Sequence, residues 1–406
     1  MKSDNLSTIN QIKMTLKYSV GLDVSSKDIK AAICTIDLEQ RVKVVGTKTI
    51  ANTQSGFVAL QDWIGRKRRE SSVPLSICME ATGVYHENCS LYFHMKEFRV
   101  SIILPNKAKK YLESLGIKSK NDSIDAKGLA QMGAEQVLKQ WEPMNGFFHT
   151  LRGLTRHYQS LQEQKTVAIG QLHAHEHGMA TDKFIAKQLK ARIQFLEKQV
   201  AAVLRQINTH IASEKEVAQR IDRICAIKGL STLSVSTVVA EVGGFELFSS
   251  YKQLVSYAGY DVVENQSGKR IGKTKISKKG NSRIRRILHM PAFRAVSCKE
   301  PVLLSLYQRT FARHGIKMKS YVAVQKKLLL MIYYLWKNDT VYDKNHFMNN
   351  IQEQEQKPLS GSLPKTEKEV APLEGEATQG KHPTNNRSMP PLGKTKLKKT
   401  GKLLAL

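Results

Sequence analysis

The sequence predicts an α/β domain on a mixed sheet, then a helical hairpin, then a mostly helical domain. Three observations carry this. Period-two apolar runs and amphipathic helical stretches interleave over residues 18–149. An apolar stripe at coiled-coil spacing occupies residues 189–207. Helical periods dominate from there to Trp336, separated by glycines and basic turns.

Residues 1–17 show no period and are expected to form a loose tail. From Tyr18 the pattern turns to β. Tyr18, Val20, Leu22 and Val24 share one strand face, and Ser19, Gly21, Asp23 and Ser25 share the other. Strands are expected next over Ile29–Ile36 and Val42–Ile50, then a helix over Ser55–Arg68 with Phe57, Leu60 and Ile64 inward. Leu75, Ile77 and Met79 alternate in a fourth strand and leave Glu80 on the less hydrophobic face with Ser76 and Cys78. Thr82-Gly83 turns into a helix over Val84–Glu97, and Val100–Leu104 is a strand ended by Pro105. A short helix closed by Gly116 follows, and a further helix opens at Asp122 and runs to about Gln136.

Residues 150–220 read as an antiparallel helical hairpin. Its stripe of Leu189, Ile193, Leu196, Val200, Val203 and Ile207 packs on itself or on another protomer. His173, His175 and His177 sit at the tip as an exposed polar turn. Histidines two apart do not share a helix face, and no cysteine or acid completes a ligand set. Ile224–Val242 is helical around a turn at Lys228-Gly229-Leu230-Ser231, and Ser250–Ala258 is a short helix. Residues 265–272 read as a flexible basic loop, a helix starts at Ser282, and Val302–His314 and Ser320–Trp336 close the fold. The domains are therefore 18–149, 150–220 and 221–340, between tails 1–17 and 341–406. The C-terminal tail is rich in Pro, Gly, Lys and Glu and is expected to be disordered.

The net charge of +29 over 406 residues points to a polyanionic partner, with nucleic acid first. Basic clusters lie inside the periodic regions as well as in the tail. No apolar run is long enough to span a bilayer, and the N-terminus lacks the apolar core of a secretory signal. The five cysteines are scattered, with no zinc spacing or disulfide framework. A cytoplasmic protein without a membrane partner is expected.

Four carboxylates stand out. Asp23 and Glu80 each leave a strand on its less hydrophobic face, and Asp122 and Asp125 fall one turn apart on one helix face. Gathered together they would repel one another, and the usual remedy is a divalent cation bound by hard oxygens, magnesium or manganese. Two such ions could activate a nucleophile and stabilise a leaving oxygen on phosphorus. Taken singly, Asp122 also reads as a helix cap and Asp125 as a favourable first-turn acid.

With these residues in view the chain resembles the IS-one-ten family of DEDD transposases. The resemblance rests on Gly21-Leu22-Asp23-Val24, Glu80-Ala81-Thr82-Gly83-Val84-Tyr85 and Lys120-Asn121-Asp122-Ser123-Ile124-Asp125-Ala126 in the N-terminal half. In the C-terminal half it rests on Ser267-Gly268, Ile276-Ser277-Lys278-Lys279-Gly280-Asn281 and Arg285. It covers roughly Tyr18 to Lys337. Asn121 stands where the family commonly has threonine, and Lys228-Gly229-Leu230-Ser231 replaces the usual Pro-Gly-Ile-Gly turn.

The resemblance implies a ribonuclease-H-like, RuvC-like domain that holds magnesium on Asp23, Glu80, Asp122 and Asp125. It implies a coiled-coil segment and a second domain with a serine nucleophile, here Ser267, that links covalently to double-stranded DNA. It also implies a homo-oligomer, dimer or tetramer, and a structured non-coding guide RNA. Lys269, Arg270 and Lys273 are placed to stabilise the phosphate at Ser267. Lys278, Lys279, Arg283, Arg285 and Arg286 are placed to contact backbone phosphates. Ser277 and Ser282 are rival serines, better read as part of a phosphate loop and as a helix cap. The expected function is an insertion-sequence recombinase. The alternatives are a RuvC-like metal-dependent nuclease or junction resolvase using water, and a transposase that has lost its activity.

Overall fold

The computed structural model describes residues 14–81, 83–116, 121–264, 266–267, 270–272 and 274–344; the side chains of 267, 270 and 271 lie outside it. The expectations for residues 1–13 and 345–406, including the disordered tail, lie outside the described residues.

Strands β1 (Thr15–Val24), β2 (Asp28–Asp37) and β3 (Val42–Ala51) form an antiparallel meander. Helix α1 (Gln54–Lys67) follows, capped by Thr53, whose side chain accepts from the Gly56 N–H. Then come β4 (Leu75–Glu80), α2 (Glu87–Met95), β5 (Arg99–Ile103), α3 (Pro105–Ser114) and α4 (Asp122–Glu135). β4 pairs parallel to β1, and β5 parallel to β4, giving the order β3-β2-β1-β4-β5. A mixed five-stranded sheet of this order fits a ribonuclease-H-like fold.

Each face of the sheet has its own cover. Tyr18, Val20, Leu22, Ile77 and Met79 meet Phe57, Leu60 and Ile64 of α1 on one side. On the other, Ala32 and Cys34 meet Ala126 and Ala130 of α4, and Cys78 meets Leu129 and Met132. Small residues there let the helix lie close.

Two boundaries differ from expectation. Residues 15–17 belong to β1 rather than to a tail, because Thr15 pairs with Asp37 and the Lys17 ammonium donates to the carbonyls of Gly133 and Gln136 at the end of α4. α2 begins at Glu87 rather than Val84, since Val84 and Tyr85 face solvent and offer no apolar stripe to dock.

Helices α5 (Gly146–Glu176) and α6 (Lys183–Ala212) run antiparallel, as the pairs Lys165–Glu197 and Lys190–Glu176 and the bond between His210 and the Phe147 carbonyl require. Leu196, Val200 and Ile207 are buried on the inner face. The hairpin ends before Arg220, at a turn through Ser213 and Glu214, and α7 (Lys215–Cys225) is a separate helix.

The remaining elements are α8 (Thr232–Val242), α9 (Tyr251–Ala258), the short strands β6 (Val262–Val263), β7 (Gln266–Ser267), β8 (Arg270–Ile271) and β9 (Lys275–Ile276), then α10 (Ser282–Ile287), α11 (His289–Ser297), α12 (Pro301–His314) and α13 (Lys317–Asn338). One core joins α8, α11 and α13 to the base of the hairpin, with Val235, Val238, Ala292, Leu328 and Ile332 at its centre. The basic loop expected over 265–272 is corrected: β7 pairs with β8, and β6 with β9. Two-residue strands carry no visible period, so the ladder could not be read in advance. None of the described helices is long and apolar enough to cross a membrane.

Candidate active site: an acidic corner and a pinned basic loop

The register of β1 and β4 sets Leu22 beside Met79, so Asp23 and Glu80 follow side by side at the strand ends. Both fall on the α4 face, because each lies two residues along its strand from Gly21 or Cys78, which meet that helix. A Cβ on Gly21 would stand 2.1 Å from the Ala126 carbonyl oxygen and the Ala130 nitrogen. A Cβ on Gly133 would meet Ser19 Oγ at 2.3 Å. The helix therefore runs antiparallel to β1, and its first turn, with Asp122 and Asp125, reaches the end where Asp23 and Glu80 emerge. Asn52 Nδ2 ties two loops at this end, donating to the carbonyls of Ser25 at 2.8 Å and Tyr85 at 3.1 Å.

Asp122 is not the cap. Asn121 is: its Oδ1 accepts from the Ile124 N–H at 2.8 Å, which leaves the Asp122 carboxylate exposed. Asp23, Glu80 and Asp125 are half-buried. The donor set suits a hard divalent cation. Among the described residues, no three Asp, Glu, His or Cys side chains form a group fitted to hold a metal ion as they stand. Cys34 and Cys78, on the same sheet face, are free thiols that burial pushes up to about 11 and about 12, so neither adds a thiolate.

The second feature is the loop from Ser277 into α10. Ser277 Oγ donates to Asp261 Oδ1 at 2.7 Å, and the Asn281 N–H donates to the Tyr257 carbonyl at 2.7 Å. Gly280 has φ +143°, and a Cβ there would lie 2.3 Å from the Tyr257 oxygen. Asn281 caps α10, its Oδ1 accepting from the N–H groups of Arg283 and Ile284, so Ser282 is not the cap. Asn281 Nδ2 donates to Glu241 Oε2 at 2.7 Å.

Glu241 is the residue the sequence reading missed. It is 1 % exposed and takes two bonds from Arg156, at 2.7 Å from Nε and 2.9 Å from Nη2. Burial pushes its carboxyl up, but the bonds from Arg156 and Asn281 outweigh this and hold it below the ordinary range. The available signal was a lone acid within the apolar run of α8.

The basic residues divide. Lys278, Lys279 and Arg283 are exposed. Arg285 Nη1 instead donates to the Ala258 carbonyl at 2.8 Å, and Arg286 pairs with Glu163. Ser267 and Arg270 are paired backbone neighbours in β7 and β8. Their side chains, and Lys269 and Lys273 altogether, lie outside the described residues.

Comparison with known proteins bears on both halves. Residues 20–177 match a family model described as Transposase, of the DEDD type of IS110 elements, and residues 221–308 match the Transposase IS116/IS110/IS902 family. The pilin gene-inverting proteins of Moraxella lacunata and Moraxella bovis are each 26 % identical over 333 residues, 81 % of this chain and 98 % of theirs. A probable family 20 transposase of Pseudomonas aeruginosa is 29 % identical over 114 residues, 28 % of this chain and 32 % of its own. Among solved structures, RuvC of Thermus thermophilus in complex with a Holliday junction substrate aligns with a TM-score of 0.23 at 11 % identity. That alignment covers 29 % of this chain and 93 % of RuvC, a likeness too distant to weigh. The two transposase models follow one another in order over more than half of the chain, and the protein belongs to the IS116/IS110/IS902 family of transposases.

Proposed function

We propose that this transposase is the recombinase of an insertion sequence, cutting and rejoining double-stranded DNA through an ester on Ser267. The observation that supports this is the register of β1 with β4 and the close antiparallel approach of α4 to β1, which bring the strand ends bearing Asp23 and Glu80 and the first turn of α4 to the same end of the sheet. The gene-inverting relatives, named for a rearrangement of DNA, support rejoining over simple cutting. Asp23, Glu80, Asp122 and Asp125 are the residues that would hold a divalent cation, magnesium or manganese, which supplies charge neutralisation at phosphorus. Ser267 Oγ attacks phosphorus; one P–O ester forms as another breaks, and the leaving oxygen takes up a proton. The phosphoester count is unchanged, so rejoining needs no external energy.

The finer elements of the reading rest on the family resemblance. These are a structured non-coding guide RNA, a dimer or tetramer and a coiled-coil role for the hairpin; the division into domains and action in the cytoplasm rest on the sequence pattern and composition. Lys278, Lys279 and Arg283 are the phosphate contacts in this reading, with Lys269, Arg270 and Lys273 beside the nucleophile.

The test is covalent trapping. DNA cut in the presence of guide RNA and magnesium should stay on the protein through denaturation, with the adduct mapped to Ser267. Ser267→Ala should abolish it. Wild-type cleavage by Ser267→Ala with free DNA ends would make water the nucleophile and the protein a nuclease. Full cleavage by Asp23→Asn and Asp122→Asn variants would remove the carboxylates from the mechanism.

A further inference from the structure

A cavity of about 1010 Å³ lies apart from the acidic corner. It opens at Gly83, three residues past Glu80, and runs between the start of α2 and the helices α5, α8 and α9. Its volume is at the upper end for small-molecule sites. Beside aliphatic residues such as Leu91, Met144 and Leu247 and the acids Glu87 and Glu241, its lining carries two further kinds.

The first kind is aromatic. Trp141 is half-buried in the wall; its backbone N–H donates to the Val100 carbonyl at 2.8 Å, and its ring packs against the sheet core and the edge-on ring of His94, 5.8 Å between centroids. Tyr257 is 39 % exposed, and its hydroxyl donates to the Glu241 carbonyl at 3.0 Å while Phe248 packs edge-on against its ring. Both rings are therefore pre-positioned, with accessible surface left over.

The second kind is cationic. Arg156 is consumed by Glu241, and His149 stands 3.6 Å from Glu87. Arg152 and Lys139 line the same cleft and make no ion pair among the described residues. His86 in the wall is nine-tenths buried, and its Nδ1 has no hydrogen-bond partner among the described residues.

Fixed aromatic rings beside unpaired cations are the elements of a site for single-stranded nucleic acid. A duplex hides its base faces in its own stack, so such rings can engage only bases that are unpaired. We propose that this cleft binds a short unpaired stretch of nucleic acid, with bases stacked on Trp141 and Tyr257 and phosphates on Arg152 and Lys139. This rests on the nucleic-acid reading above and deepens it: a strand held there lies beside the segment that leads from Glu80.

Tryptophan fluorescence tests it directly. Trp63 and Trp336 are 8 % and 4 % exposed, so Trp141 is the tryptophan a ligand in the cleft can reach. Short oligothymidylate DNA and oligouridylate RNA are titrated separately into the full chain, with a duplex of equal length as control. Quenching by either single strand, and not by duplex, is expected, and the stronger arm identifies the polymer. Trp141→Phe, followed by the anisotropy of a labelled strand, should bind single-stranded oligonucleotide more weakly and leave duplex binding unchanged. Arg152→Gln should weaken single-strand binding by about tenfold, the scale of one lost stacking or phosphate contact, and leave duplex binding unchanged. No quench with either strand, equal quench with duplex, or unchanged binding by Arg152→Gln overturns the proposal. The Ser267 adduct is scored in parallel. A chain that forms the adduct but shows no quench refutes the cleft alone, and the reverse refutes the recombinase reading alone.

Discussion

Gly21→Ala is the most direct test of how the acidic corner is built. Its added methyl would stand 2.1 Å from backbone atoms of Ala126 and Ala130, where ordinary contact starts at 3.4 Å. The obstacle is helix backbone, which cannot rotate aside, so α4 must retreat by about 1.3 Å. Overpacking of this kind costs about 3 kcal/mol. The retreat also carries Asp122 and Asp125 away from Asp23 and Glu80, and a misplacement near 1 Å costs on the order of 100-fold in rate. Gly133→Ala on the same helix is the control. Its nearest obstacle is Ser19 Oγ, a buried hydroxyl with no hydrogen-bond partner among the described residues. That side chain can turn away, and alanine recovers about 1 kcal/mol of helix propensity. Urea midpoints and DNA-cleavage rates of the two variants are compared. If Gly21→Ala costs no more than Gly133→Ala and cuts DNA normally, α4 does not rest on β1 as described.

Three further outcomes are expected. Glu241→Gln should cost about 1–3 kcal/mol, since it weakens the charge-assisted bonds that Arg156 and Asn281 make to a buried carboxylate while the partly exposed Arg156 regains solvent. Because the folded carboxyl is held below its ordinary value of 4.5, the wild type should keep this advantage above pH 4.5 and lose it as pH falls through the lowered folded value; an advantage that grows on acidification would contradict the pairing. In the hairpin, Leu196→Ala should cost about 2–4 kcal/mol by urea denaturation and the adjacent Phe195→Ala under about 0.5 kcal/mol, because Leu196 is 4 % exposed and Phe195 60 %; equal costs would mean that the inner face is wrongly placed. Neutralising Lys278 and Lys279 should lower the salt dependence of DNA binding by about one unit of slope per contact, whereas Arg285→Gln should lower the melting temperature by releasing the Ala258 carbonyl.

Local chemistry made much of this protein readable in one dimension. The strand alternation that buries Val20 and Leu22 also obliges Asp23 to face the other way, and the same rule holds for Met79 and Glu80. The three-residue spacing of Asp122 and Asp125 needs only a helix to put them on one side. Of the six residues in the stripe, Leu196, Val200 and Ile207 are buried and Leu189, Ile193 and Val203 half-buried.

What required the folded chain was every relation between residues distant in sequence. That α4 lies antiparallel on β1 follows from Gly21 meeting Ala126 and Ala130, a contact that no local period encodes. The cap of α10 went to Asn281 rather than Ser282 because Glu241, forty residues earlier, takes its amide and aims its oxygen at the helix. Arg285 and Arg286 look the same as Arg283 in the sequence, yet the Ala258 carbonyl and Glu163 engage the first two and leave the third exposed. Charge and pattern are properties of single segments; which charges remain available to a ligand is decided by the partners that packing brings within hydrogen-bond reach.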